Sequence, residues 1–255
     1  MVASQVGALI FALACEAREP VQQPSRPAPE PAPLVSDEAS DEAPDDPEPT
    51  TAELAPGETL IRGTVVLVPL KSFPDDLLDT VEAALIRELD VEVVRHEVVA
   101  LPEDAWYEPR KRYRAELLLD YLDGFGEPGQ KVLGLTEVDI STTNGDIPDW
   151  GIFGLGNMPG HSAVVSSKRL VRKPKRLRPG AETVRDHVKF RVGSVAVHEI
   201  GHTFGLDHCT EQAVECVMLD AEGGIENSDT TSGGFGPACR AKLDRRAPLW
   251  LAGAQ

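Results

Sequence analysis

From Leu60 onward, short β-branched apolar runs alternate with stretches whose apolar residues recur every three or four positions. LIRGTVVLVPL (60–70) is continuously apolar and reads as a buried strand. PDDLLDTVEAALIREL (74–89) has helical spacing, with Pro74 and two aspartates suited to a helix start. DVEVVRHEVVAL (90–101) reads as a second strand, and PRKRYRAELLLDYLDGF (109–125) as a second helix stopped by Gly124. KVLGLTEVDI (131–140) is a third strand. GIFGLGNM (151–158) and HSAVVSSKRL (161–170) follow as two more, with Pro159-Gly160 as the turn between them. ETVRDHVKFRVGSVAVHEIGHTFG (182–205) reads as a long helix, with Val184, Val188, Val192 and Val195 as its apolar stripe. Strands alternating with helices predict an α/β layered sheet, and no internal repeat is visible.

The first 56 residues have a different texture. Residues 1–15, MVASQVGALIFALAC, carry no charge and end in a small-x-small tripeptide before a cysteine. They read as an export signal with a lipoprotein box, in which Cys15 would carry the lipid and anchor the chain to a membrane. An ordinary apolar N-terminus of a cytoplasmic protein is the alternative. Residues 16–56 are rich in proline and acid and almost free of bulky apolar side chains, so they are expected to be a disordered linker. Residues 57–255 then form the folded domain. The net charge of −17 argues against nucleic acid as a partner, and no apolar run is long enough to span a bilayer as a helix. The chain is expected to act as a monomer. One basic run breaks the acidic balance: KRLVRKPKRLRPG (168–180) holds seven Lys or Arg and no acid. It reads as a solvated loop, with a rim for acidic substrates or lipid headgroups as the alternative.

The chemistry concentrates in HEIGHTFGLDHC (198–209). His198 and His202 are four apart on a helix, hence on one face, where two imidazoles can share a metal. Glu199 points beside that metal, within reach of a water without being a ligand. Gly205 ends the helix and turns the chain, bringing His208 round as a third nitrogen ligand. Three histidines leave a fourth position open, as in a catalytic zinc site. The full H-E-x-x-H-x-x-G-x-x-H on a helix, followed by a methionine, is the metzincin pattern. His96, His161 and His187 lack such spacing and are expected on the surface or in packing.

HEIGHTFGLDHC, then Cys216-Val217-Met218, then FGPACRAKL, resembles the archaemetzincin family over about residues 60–248. The resemblance implies a metzincin fold: a twisted mixed β-sheet with helices, an active-site helix and a small C-terminal subdomain, with GIFGLGNM as the edge strand above the cleft. It implies a catalytic zinc on His198, His202 and His208, Glu199 as general base and then acid, and Met218 as the apolar floor of the Met-turn. In that family a second, structural zinc is held by four cysteines. Here Cys209, Cys216 and Cys239 match, while the fourth position is Gly236, so the second zinc site is incomplete. A nearby carboxylate such as Asp220 or Asp229, a water, or nothing would complete it. Alternatively, two of the thiols would pair as a disulfide. The implied function is hydrolysis of peptide bonds in a peptide or protein substrate. A zinc amidohydrolase acting on a non-peptide amide, or a zinc-bound peptide-binding module with little turnover, are the alternatives.

Overall fold

The computed structural model describes residues 62–211, 215–220 and 224–251. The expected export signal with Cys15 and the linker 16–56 lie outside the described residues.

Elements run in the order β1 (Thr64–Pro69), α1 (Asp75–Leu89), β2 (Glu92–Arg95), β3 (Trp106–Tyr107), β4 (Arg112–Arg114), α2 (Ala115–Leu122), β5 (Lys131–Thr136), β6 (Ile140–Asn144), β7 (Ile147–Ile152), β8 (Gly154–Gly156), β9 (Ser162–Ser166), α3 (Val184–Thr203), α4 (Glu226–Thr230) and α5 (Pro237–Leu251). The main sheet has the order β2-β1-β5-β9-β8. Its first four strands are parallel, and β8 joins β9 antiparallel at the edge. Helices cover both faces of this sheet, which is why β1 and β5 are apolar without alternation. One core cluster includes Leu67, Leu77, Leu85, Leu133, Val192 and Ile200, joining α1 and α3 to one face. The other includes Val66, Leu118, Leu122, Val132 and Val164, placing α2 on the opposite face.

α3 is buried along most of its length rather than on one stripe: Val188, Val192 and Val195 lie in the core, but Val184 is exposed. Its start is fixed by a capping box in which the Asp186 N–H donates to Thr183 Oγ1 (3.1 Å) and the Thr183 N–H donates to Asp186 Oδ2 (2.9 Å).

Two expectations need correction. The predicted second helix begins only at Ala115, because Arg112–Arg114 is strand β4, paired with β3 and β6. Alternate side chains there find partners: Arg112 pairs with Asp139 (2.8 Å) and Asp149 (2.9 Å), and Arg114 Nη2 donates to Thr143 Oγ1 (2.8 Å). Tertiary pairing thus overrides local helical preference. The second predicted strand ends at Arg95, beyond which a single bridge joins Val99 to Leu70. The four-stranded sheet β3-β4-β6-β7, whose β6–β7 hairpin turns at Gly145-Asp146, has no counterpart among the sequence expectations.

Candidate active site

His198 and His202 sit one turn apart near the end of α3, with their Nε2 atoms 3.0 Å apart. Helical conformation ends at Thr203, and Gly205 takes φ 78, a left-handed conformation that suits glycine. The Leu206 N–H returns to the Gly201 carbonyl (3.2 Å), and the chain doubles back. This carries the His208 ring to 5.3 Å from that of His198 and 5.0 Å from that of His202. Each of the three offers a ring nitrogen, and these atoms lie within 4.8 Å of one another.

The second ring nitrogens decide what the cluster can hold. His198 Nδ1 lies 2.7 Å from the Val217 carbonyl, and His202 Nδ1 lies 2.7 Å from the Leu206 carbonyl. A carbonyl only accepts, so both Nδ1 atoms carry the hydrogen and both neutral rings present a bare Nε2 lone pair. Burial, reinforced by His202, pushes His198 down to about 3, and burial also lowers His202. Two lone pairs facing across 3.0 Å repel unless a cation lies between them, so the donor set fits a divalent metal. Asp220 Oδ2 stands 3.5 Å from His208 Nδ1.

Glu199 is buried beside the histidines, and burial pushes its carboxyl up to about 8. Strand β8 lies directly against it: a Cβ on Gly154 would stand 2.5 Å from Glu199 Oε1, and one on Gly156 would stand 2.5 Å from the Glu199 carbonyl. The glycines of Gly-Leu-Gly therefore let the edge strand close over the helix. Beneath, Met218 Sδ would be 2.7 Å from a Cβ on Gly201, which places the methionine under the α3 backbone between the two histidines. A cavity of about 330 Å³ opens between β8, α3 and the segment after Cys216.

Cys209, Cys216 and Cys239 also converge, with sulfurs within 4.8 Å and all three thiols free. The disulfide alternative is thus not seen. Burial, then the neighbouring Cys216 and Cys209, pushes the Cys239 thiol up to about 12. The Gly236 and Met218 N–H groups point at Cys216 Sγ (3.1 and 3.4 Å). The Cys209 N–H donates to the Met218 carbonyl (2.8 Å), tying this cluster to the floor of the histidine cluster. Neither proposed fourth ligand joins the cysteines among the described residues. Asp220 faces His208, and Asp229 accepts from Arg191 (2.5 and 2.9 Å) and His187 (2.7 Å).

That Arg191–Asp229–His187 cluster carried no motif and was not foreseen as a unit; His187 is a packing histidine, as expected. His96 Nδ1 contacts the Glu97 carbonyl, and His161 Nε2 contacts that of Phe125. The basic run 168–180 is pinned rather than loose. Leu170 is buried, Arg169 pairs with Asp139 (2.6 Å), Arg178 stacks on Phe190 (3.3 Å), and Arg191 donates to the carbonyls of Leu170 (2.9 Å) and Arg172 (2.5 Å). Lys131, also unforeseen, is buried and donates to the carbonyls of Thr203 (3.0 Å) and Gly160 (2.5 Å). It thereby joins the end of α3 to the turn after β8.

Residues 70–245 match the model of Peptidase family M54. The chain is 34% identical to the archaemetzincin of Methanopyrus kandleri over 169 residues, 66% of this chain and 87% of that one. It is 31% identical to that of Haloquadratum walsbyi over 156 residues, 60% of this chain and 84% of that one. The crystal structure of the Methanopyrus kandleri archaemetzincin superposes with a TM-score of 0.59 at 32% identity, covering 72% of this chain and 95% of that one. Fold, histidine cluster and family match agree: the chain belongs to peptidase family M54, the archaemetzincins, and is a zinc metallopeptidase.

Proposed function

We propose that the protein cleaves peptide bonds at a zinc ion held by His198, His202 and His208, with Glu199 as general base and then general acid. The position of Glu199 carries this reading. Its carboxyl lies buried beside the three histidines and directly beneath β8, the outermost strand of the main sheet among the described residues.

The carbonyls of Val217 and Leu206 hold the His198 and His202 rings in the orientation a metal needs. When bound, zinc supplies Lewis acidity, lowering the pKa of a water from 15.7 to about 7 and polarising a carbonyl oxygen. Ionised once a cation lies beside it, which offsets its burial, Glu199 accepts a proton from the attacking water as the water oxygen bonds to the substrate carbonyl carbon. It returns that proton to the leaving nitrogen as the C–N bond breaks, so it ends as it began. An extended peptide can add to β8 through main-chain hydrogen bonds, which lays its carbonyls across the cleft. This open edge favours a peptide over a small non-peptide amide, and the intact Glu199 disfavours a mere binding module. The three cysteines support a second zinc, held more weakly because one of four ligands is missing.

The test is a peptide-library digest of zinc-loaded protein, with and without chelator. Cleavage within peptides should appear, vanish on chelation and return with zinc. Glu199→Gln should keep zinc yet lose at least about 100-fold in rate. A Glu199→Gln protein as fast as wild type would refute the assigned role.

A further inference from the structure

Cys209, Cys216 and Cys239 come from separate stretches of chain, yet their sulfurs lie within 4.8 Å of one another. Cys216 and Cys239 are buried and belong to the same apolar core cluster as Leu206, Val217 and Leu243, and Cys209 is half-buried against it. The polar groups directed at Cys216 Sγ are the N–H groups of Gly236 (3.1 Å) and Met218 (3.4 Å). An N–H offsets negative charge on sulfur but cannot ligate a cation. Gly236 brings no side chain, and among the described residues no carboxylate or imidazole joins the three sulfurs. The set is one ligand short of a structural zinc, which takes four. Charge argues in the same direction. A divalent ion on three thiolates leaves one net negative charge among apolar side chains, and a monovalent ion leaves two, which burial penalises. A trivalent ion on three thiolates is neutral. Trivalent arsenic forms three bonds and carries a lone pair at the fourth corner, so it needs no further ligand.

We propose that the three cysteines form a binding site for a trivalent, three-coordinate thiophilic ion, with arsenite, As(OH)3, as its soluble form. Each thiol exchanges for one hydroxyl: three S–As bonds form, three As–O bonds break, and the thiol protons leave with the hydroxyls as three waters. Arsenic stays trivalent and no sulfur is oxidised. The site does not depend on peptide hydrolysis. Cys209 follows His208 directly, and its N–H donates to the Met218 carbonyl (2.8 Å), so a bound ion ties α5 to the segments that carry the third histidine and the methionine floor.

The test adds arsenite to reduced, zinc-loaded full-length protein, removes the excess, and measures metal content, the X-ray absorption fine structure of arsenic and the melting temperature. One arsenic per chain should remain, bonded to three sulfurs and no oxygen. It should displace zinc from the cysteines while the histidine-bound zinc stays, and the melting temperature should rise. Cys209→Ser, Cys216→Ser and Cys239→Ser should each bind about 100-fold more weakly, because the third bond forms within one molecule. Cys15→Ser should bind as wild type does. Gly236→Cys supplies a fourth sulfur and should keep zinc at arsenite levels that load the wild type. An oxygen bonded to arsenic, no retained arsenic, or zinc that arsenite does not displace from the wild-type cysteines would overturn the proposal. Arsenic bound equally by the serine variants is adventitious and would overturn it as well. If a serine variant fails to fold, the arsenic coordination and the Gly236→Cys preference still decide.

Discussion

Lys131 shows how much a single side chain can hold in place near the histidines. Burial pushes its ammonium down from 10.5 to about 7, while its hydrogen bonds to the carbonyls of Thr203 and Gly160 anchor the end of α3 and the turn after β8. Between about pH 7 and 10.5 the unfolded chain binds a proton at this lysine that the folded protein does not. Unfolding then takes up a proton, so stability contributed by this residue rises with pH through the window and is lost as pH falls through about 7. Lys131→Met should remove that pH dependence and take a donor from the Gly160 carbonyl and from that of Thr203, which keeps the Gly160 N–H (3.1 Å), costing about 1–3 kcal/mol. Urea denaturation of both proteins across the window checks this; parallel stability curves would show that Lys131 does not titrate there. No sequence pattern flagged Lys131. A lysine opening a strand looks solvated until the fold places a helix end over it.

At the scale of elements, β8 and α3 form one functional unit, held apart by little more than glycine hydrogens. Gly154→Ala should force the strand away from Glu199, costing about 1–3 kcal/mol of stability and on the order of 100-fold in kcat/KM. Normal melting and turnover in that variant would mean the strand can shift freely. The cysteine cluster is tied to the floor of the histidine site by the Cys209 N–H, which donates to the Met218 carbonyl. We expect one tightly held zinc per chain and a second that is substoichiometric or easily stripped. Gly236 is not among the glycines with positive φ, so backbone conformation does not bar a side chain there. Gly236→Cys should fill the second site and raise the melting temperature; metal analysis finding two tight zincs in the wild type would show the site already complete. The long helix and the parallel strands were legible from the sequence because their periodicities are long and uninterrupted: LIRGTVVLVPL and the run around Val188, Val192 and Val195 are each decisive. The histidine cluster was legible because its spacing is local. What stayed hidden depends on distant partners. Arg112–Arg114 becomes a strand only because Asp139 and Asp149 meet its side chains, and the Asp229 anchor is 38 residues from Arg191 in sequence. GIFGLGNM (151–158) reads as one strand, but Gly151-Ile152 ends β7 and only Gly154–Gly156 forms β8, whose close packing on Glu199 has no signature in sequence.

For the whole molecule, the expectation that residues 1–56 only tether the domain has a direct check. A truncation starting near Gly57 should keep the melting temperature and peptidase activity of the full chain, because the core clusters are built from residues 65–243. A large drop in either would show that the removed segment packs on the domain. Replacing Cys15 with serine in the native host should release the protein from membranes if that cysteine carries a lipid; recovery of native soluble protein with an unmodified Met1 would exclude export. The order of elements along the chain has a further consequence. The main sheet is complete by Ser166, whereas the histidines, Met218 and the cysteines run from His198 to Cys239. A chain emerging from the ribosome therefore has a scaffold well before it has the means to cut. Any product of early termination or C-terminal trimming before Met218 would be a sheet without a floor to its metal site.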